Sequence, residues 1–256
     1  MSQVSTQLEG STAFLSLEGR TDLNLLGLEL FQSLINGLDE VAANADVTTL
    51  VLRSAGDRAF TAGVDLREMR DLTPQSAEEF IVTLHRAIRR VLTLPIPVVA
   101  AINGICLGGG LELVLACDLR IASEDSILGL PEVLAGVPSV IEASLLPKTI
   151  GLGRARRLIM TGESVTSQEA LDMGLVDRVV PKNAVNAAAL EAADKYQKIS
   201  PKVLAAQKDI IVKWLELGDE QAAEYSIKAF ALGFTTGHPR EAMSAFLEKR
   251  EPRFNS

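Results

Sequence analysis

Two glycine-bearing turns hold the residues whose types and spacing point to chemistry in this 256-residue chain. In GICLGGGLELVLACDL, residues 104 to 119, an apolar strand runs through three consecutive glycines, Gly108, Gly109 and Gly110, into an apolar helix. Glycines let backbone N–H groups approach a ligand closely, and the helix directs the positive end of its dipole to the same point. The outline is that of an anion or oxyanion site, although GxGxxG spacing is absent. The second turn is AFTAGVDLREM, residues 59 to 69, where a short strand passes through Ala62 and Gly63 into a helix beginning near Val64, whose N–H would be unpaired. Two N–H groups aimed at one oxygen would stabilise an enolate-like anion, each worth about 3 kcal/mol. The plain alternative is two tight β-to-α turns.

Three strands and a set of helices have to position those turns. Alternation over residues 13 to 19 and the apolar runs at 48 to 54 and 98 to 103 read as strands buried on at least one face. Residues 24 to 43 carry Leu26, Leu30, Leu34 and Leu38 on one helix face, and residues 75 to 92 do the same with Phe80, Leu84, Ile88 and Val91 before Pro95 and Pro97. The rhythm is that of an α/β fold, a parallel sheet with covering helices. Beyond about residue 183 the pattern is helical only, over 184 to 198, 203 to 217, 221 to 232 and 240 to 249, with Pro201 and Pro239 at breaks. We therefore divide the chain into an α/β core, 1 to 182, carrying the site, and a helical region, 183 to 256, with apolar surface for its own core or a neighbour.

Composition narrows the class. A formal net charge of −8 argues against a partner that is nucleic acid, and no run approaches the roughly 18 apolar residues of a membrane span. Cys106 and Cys117 lack metal or disulfide spacing and read as core residues. The N-terminus lacks the basic and apolar regions of a signal peptide, so the expected location is cytoplasmic. His85 falls inside a helix face and His238 precedes a proline, so neither reads as the partner of a nucleophile.

The successive blocks FTAGVDL, PIPVVAAINGICLGGGLELVLACDLRIAS, GLPEVLAG, EALDMGLVDRVVP and EAMSAFLEKREPRF resemble, in order, the signature blocks of the crotonase (enoyl-CoA hydratase/isomerase) superfamily from about residue 12 onward. The resemblance implies a crotonase-like spiral of repeated β-β-α units with a C-terminal all-helical trimerisation region, assembled as a homotrimer or homohexamer. It implies an acyl-CoA thioester substrate with no cofactor or metal beyond the coenzyme A of the substrate itself. Val64 and Gly109 match the two oxyanion-hole donors. Glu112 and Glu132 match the hydratase acid/base pair, Glu112 taking a proton from water and Glu132 giving one to C2. Taken alone, each glutamate also suits the first turn of a helix, one after glycines and one after Pro131. Asp65 is expected in a first helical turn. Around them, Ala62, Val64, Asp65, Leu66, Arg67, Gly108, Gly109 and Pro131 resemble the family's substrate-binding segments. Arg20 is a candidate phosphate partner, and Phe246 and Lys249 match positions that reach the nucleotide, with core packing and a solvated helix end as their plain alternatives.

After Glu132 the chain departs from the glycine-rich run of many hydratases and reads Ser139, Val140, Ile141, Glu142. Bulkier residues there narrow the space expected around the reacting carbons, and Glu142 adds a third carboxylate. The presence of both glutamates favours hydration of an enoyl-CoA. The alternatives are a double-bond isomerase using Glu132 alone and a non-catalytic CoA- or RNA-binding relative.

Overall fold

The computed structural model describes residues 2–254. Its first sheet has the order β1 (Gln3–Glu9), β2 (Thr12–Glu18), β3 (Thr49–Ser54), β5 (Val98–Ile102), β7 (Leu119–Ser123) and β10 (Arg178–Val180), parallel throughout except for the β1–β2 pair. The second has the order β4 (Ala59–Thr61), β6 (Ile105–Leu107), β8 (Ile127–Gly129) and β9 (Ser164–Thr166), with β9 antiparallel. Chain order shows the spiral: β3, β5 and β7 each enter the first sheet and the next strand, β4, β6 or β8, enters the second. Each pass therefore advances one strand in both sheets.

The helices are α1 (Leu28–Ala43), α2 (Leu66–Met69), α3 (Pro74–Thr93), α4 (Gly109–Leu115), α5 (Leu146–Ile150), α6 (Leu152–Thr161), α7 (Ser167–Asp172), α8 (Val185–Gln197), α9 (Pro201–Glu216), α10 (Asp219–Gly233) and α11 (His238–Leu247). The first sheet is covered on both faces, so its strands bury alternate residues on each side: β5 is apolar throughout, while Arg53 of β3 and Arg120 of β7 are only half-buried. Ala13, Leu15, Leu17, Leu50, Leu52, Val98, Ala100 and Ile102 pack on the side of α1 and α3. The alternate residues Phe14, Val51, Val99 and Ala101 pack against Val185, Ala188, Ala189, Ala192 and Ala193 of α8. Period two along the strands thus divides two cores. The first helix after residue 183 closes the sheet of its own chain. On α9 to α11 and the turn between α10 and α11, by contrast, Trp214, Ile227, Phe230, Phe234, Met243 and Phe246 are exposed.

The expected strands and long helices are present with small shifts at their ends. Thr73 and Ser76 form a reciprocal cap on α3, and Phe80, Leu84, Ile88 and Val91 are buried as their spacing requires. The expected helix over 24 to 43 begins only at Leu28. Asn24 has a left-handed φ of 47°; its side chain accepts from Gly19 N–H and donates to the Ala59 carbonyl, and Leu26 bridges to Val64. Leu26 is a core residue, but tertiary hydrogen bonds rather than a helix put it there. Both cysteines are free and buried. Among the described residues no helix is long and apolar enough to cross a membrane.

Candidate active site

Strands β4 and β6 lie side by side and parallel, so the turns at their C-terminal ends are neighbours. In the first, Leu26 donates to the Gly63 carbonyl at 2.9 Å and accepts from Asp65 N–H at 2.8 Å, clamping Val64 from both sides. Asp65 is the N-cap of α2, accepting from Arg67 N–H, rather than a first-turn residue as expected. In the second turn Gly108 donates to the Gly129 carbonyl of β8 and accepts from Leu111 and Glu112. Among the described residues no acceptor is found for the N–H of Val64 or of Gly109.

Two of the glycines are required, Gly108 by its backbone conformation and Gly110 by space. Gly108 sits at φ 56°, and a Cβ there would lie 3.1 Å from Glu132 Oε1 and 3.7 Å from Gly63 Cα. A Cβ on Gly110 would lie 2.3 Å from Thr61 Cγ2, so only glycine lets α4 start against β4.

Glu112, 3% exposed, projects from the first turn of α4, where its Oε1 accepts from Ala143 N–H at 2.9 Å. Burial pushes its carboxyl up to about 8; the Ala143 bond opposes this, and the nearby charges of Glu132 and Glu142 reinforce it. Glu132 opens a 3₁₀ turn, Glu132–Ala135, entered through Pro131, and its Oε2 accepts from Ser139 Oγ at 2.7 Å. Both carboxyls, both turns and Pro131 line one cavity of about 340 Å³, within the usual range for small-molecule sites. Its remaining wall is apolar: Leu66, Met69, Ala77, Ile81 and Leu84 on one side, Val137, Pro138 and Val140 on the other.

The family model described as enoyl-CoA hydratase/isomerase matches residues 7–256. This chain belongs to the enoyl-CoA hydratase/isomerase family. It is 31% identical to the short-chain-enoyl-CoA hydratase of Clostridium acetobutylicum, over 98% of this chain and 97% of that one. It is 30% identical to the crotonyl-CoA hydratase of Syntrophomonas wolfei, over 97% and 96%. The crystal structure of an enoyl-CoA hydratase from Bacillus anthracis superposes with a TM-score of 0.92 at 34% identity, covering 98% of both chains. The structure of Pseudomonas aeruginosa DspI gives 0.94 at 30%, covering 99% of this chain and 97% of that one. The crotonase-like spiral and its C-terminal helices are the fold of these relatives.

Within this family member the structure brings Ala62, Val64, Leu66, Gly108, Gly109, Glu112, Pro131 and Glu132 together around the cavity. Arg20, Asp65 and Arg67 gather instead in a narrow cleft with Glu29 and Glu68. There Arg20 pairs with Glu29 at 3.0 Å and Arg67 with Asp65 at 2.7 Å, so a phosphate reaching either cation competes with a carboxylate. Phe246 and Lys249 are exposed at the end of the chain and do not line the cavity. Phe246, 83% exposed, is not a core residue of this chain.

Sequence reasoning missed the partners of the acids. Ser139 and Ala143 are ordinary residue types whose roles come from loop geometry. The wall residues Ala77 and Ile81, with Leu84 of the core stripe, carried a readable signal, a spacing of four and three along one side of α3. His85, read only as a helix residue, has its Nδ1 2.8 Å from Glu142 Oε1. His238 meets Ser200 Oγ, which also caps α9.

Proposed function

We propose that this enzyme hydrates the 2,3 double bond of an enoyl-CoA thioester. The observation that carries the reading is the convergence of Glu112, Glu132 and the two unengaged N–H groups of Val64 and Gly109 on one apolar cavity. In this reading the thioester oxygen accepts from both N–H groups. Charge moving onto that oxygen as C3 accepts water is stabilised by about 3 kcal/mol per donor. Water gives its hydroxyl to C3 and a proton to one carboxyl, while C2 receives a proton from the other. The pair therefore works with one proton between its two members. Burial favours the proton resting on Glu112, so for Glu112 to act on water as the base, that proton passes to Glu132 as substrate enters.

The apolar wall from Leu66 to Leu84 suits an unsubstituted acyl chain, and the names of the similar hydratases of C. acetobutylicum and S. wolfei agree with that class. The nucleotide end would run past the Asp65–Arg67 turn toward Arg20. Phe246 and Lys249 would reach it only from a neighbouring subunit, consistent with a homotrimer or homohexamer built on the exposed apolar residues of α9 to α11. The expected setting is the cytoplasm. Turnover of crotonyl-CoA in ¹⁸O-labelled water tests the chemistry: hydration leaves one heavy oxygen at C3. A product of unchanged mass with a shifted double bond, from a 3-enoyl-CoA substrate only, supports the isomerase instead. A monomer in light scattering contradicts the assembly.

A further inference from the structure

One buried acid has no part in that mechanism. The Glu142 side chain is 6% exposed; its Oε1 meets His85 Nδ1 at 2.8 Å and its Oε2 has no hydrogen-bond partner among the described residues. It belongs to the 3₁₀ turn Ile141–Leu145, whose next residue, Ala143, donates its N–H to Glu112. Ile141 enters this turn at φ 43°, a conformation that β-branched residues adopt only when their surroundings impose it. A carboxylate left half-satisfied in the interior is a poor stabiliser, since an apolar side chain of similar size would serve packing better.

The charged groups around Glu142 are few. His85 and Arg89 face it from α3, Arg89 being shared with Glu216 of α9. From α4 Glu112 feels its charge, with Glu132 beyond. Burial pushes the Glu142 carboxyl up, while His85 and Arg89 pull it back toward the charged form. We propose that Glu142, anchored by His85, is a positioning residue for Glu112: it fixes the turn that presents Ala143 N–H to that carboxyl and sets a buried charge beside it. The proposal rests on the reading of Glu112 as one of the two catalytic acids.

An infrared titration of the buried carboxyl band that disappears in Glu112→Gln tests this without turnover. Glu142→Gln keeps the shape and removes the charge, so the Glu112 midpoint falls from its value of about 8. An unmoved midpoint in a folded Glu142→Gln protein overturns the proposal. If the wild type hydrates no enoyl-CoA while the midpoint still moves, the hydration reading fails and the positioning role stands. Should Glu142→Gln not fold, His85→Ala and His85→Gln decide by kinetics. Loss of the anchor in His85→Ala lowers kcat on the order of tenfold with KM held. His85→Gln still donates to Glu142 and recovers most of that loss. Equal kcat in the two variants overturns the proposal.

Discussion

Replacing Glu112 with Gln removes a proposed catalytic acid and is expected to shift stability increasingly in favour of the variant, relative to the wild type, as pH rises. The carboxyl is held at about 8 in the folded chain against an ordinary 4.5. As pH rises through that interval the unfolded chain releases its proton while the folded chain keeps it, so unfolding is progressively favoured. At 1.36 kcal/mol per unit the cost is about 1 kcal/mol at pH 5, about 3 kcal/mol at pH 7 and nearly 5 kcal/mol at pH 9. Gln does not titrate. Its buried amide adds a fixed penalty of about 1–3 kcal/mol, but the gap between variant and wild type still widens by about 4 kcal/mol from pH 5 to pH 9. Thermal melts at matched protein concentration, at pH 5, 7 and 9, read this as a difference that grows by roughly 8–16 °C across the series. A difference that stays flat with pH would refute the claim that Glu112 is buried with its proton.

The same proton limits catalysis: kcat/KM for hydration is expected to fall as pH rises through about 8, and a profile level to pH 9 would show that the pair does not need it. Gly110→Ala places a Cβ 2.3 Å from Thr61 Cγ2, so α4 must shift off β4 and carry Gly109 N–H with it; steady-state kinetics should show kcat down about a hundredfold. Lys208, 7% exposed, donates to the Ile96 carbonyl and to Asp118 Oδ2 at 2.7 Å, tying α9 to the first sheet. Lys208→Met takes the cation from a carboxylate that is about a quarter exposed and leaves it the Val98 N–H as donor, and urea unfolding should register a loss of about 2 kcal/mol.

The sequence made the fold legible where periodicity runs long enough to count. Helix α3 over twenty residues, the alternating β2 and the apolar runs of β3 and β5 could be read because each carries its pattern over five residues or more. Strands β4, β6, β8 and β9 are three residues each, too short to show alternation; β4 and β6 show only as the strands leading into the two turns, and the sheet they form with β8 and β9 does not show in periodicity. At the site, Val64, Gly109, Glu112 and Glu132 lay on recognisable blocks and fall around one cavity. What escaped was the loop from Val137 to Ala143. Ser139 reaches Glu132 and Ala143 reaches Glu112 through a backbone path that includes a left-handed isoleucine, and no local propensity announces such a path. Glu142 showed as a departure, but its direction toward His85 depends on a contact between residues 57 positions apart.

The most direct test of the account follows loss of the enoyl-thioester absorbance of crotonyl-CoA with wild type, Glu112→Gln and Glu132→Gln side by side, with acyl-CoA binding measured in each. The account predicts hydration by the wild type and its loss in both variants with binding retained. Full activity in Glu112→Gln, or a wild type that binds crotonyl-CoA and leaves it unchanged, would contradict it.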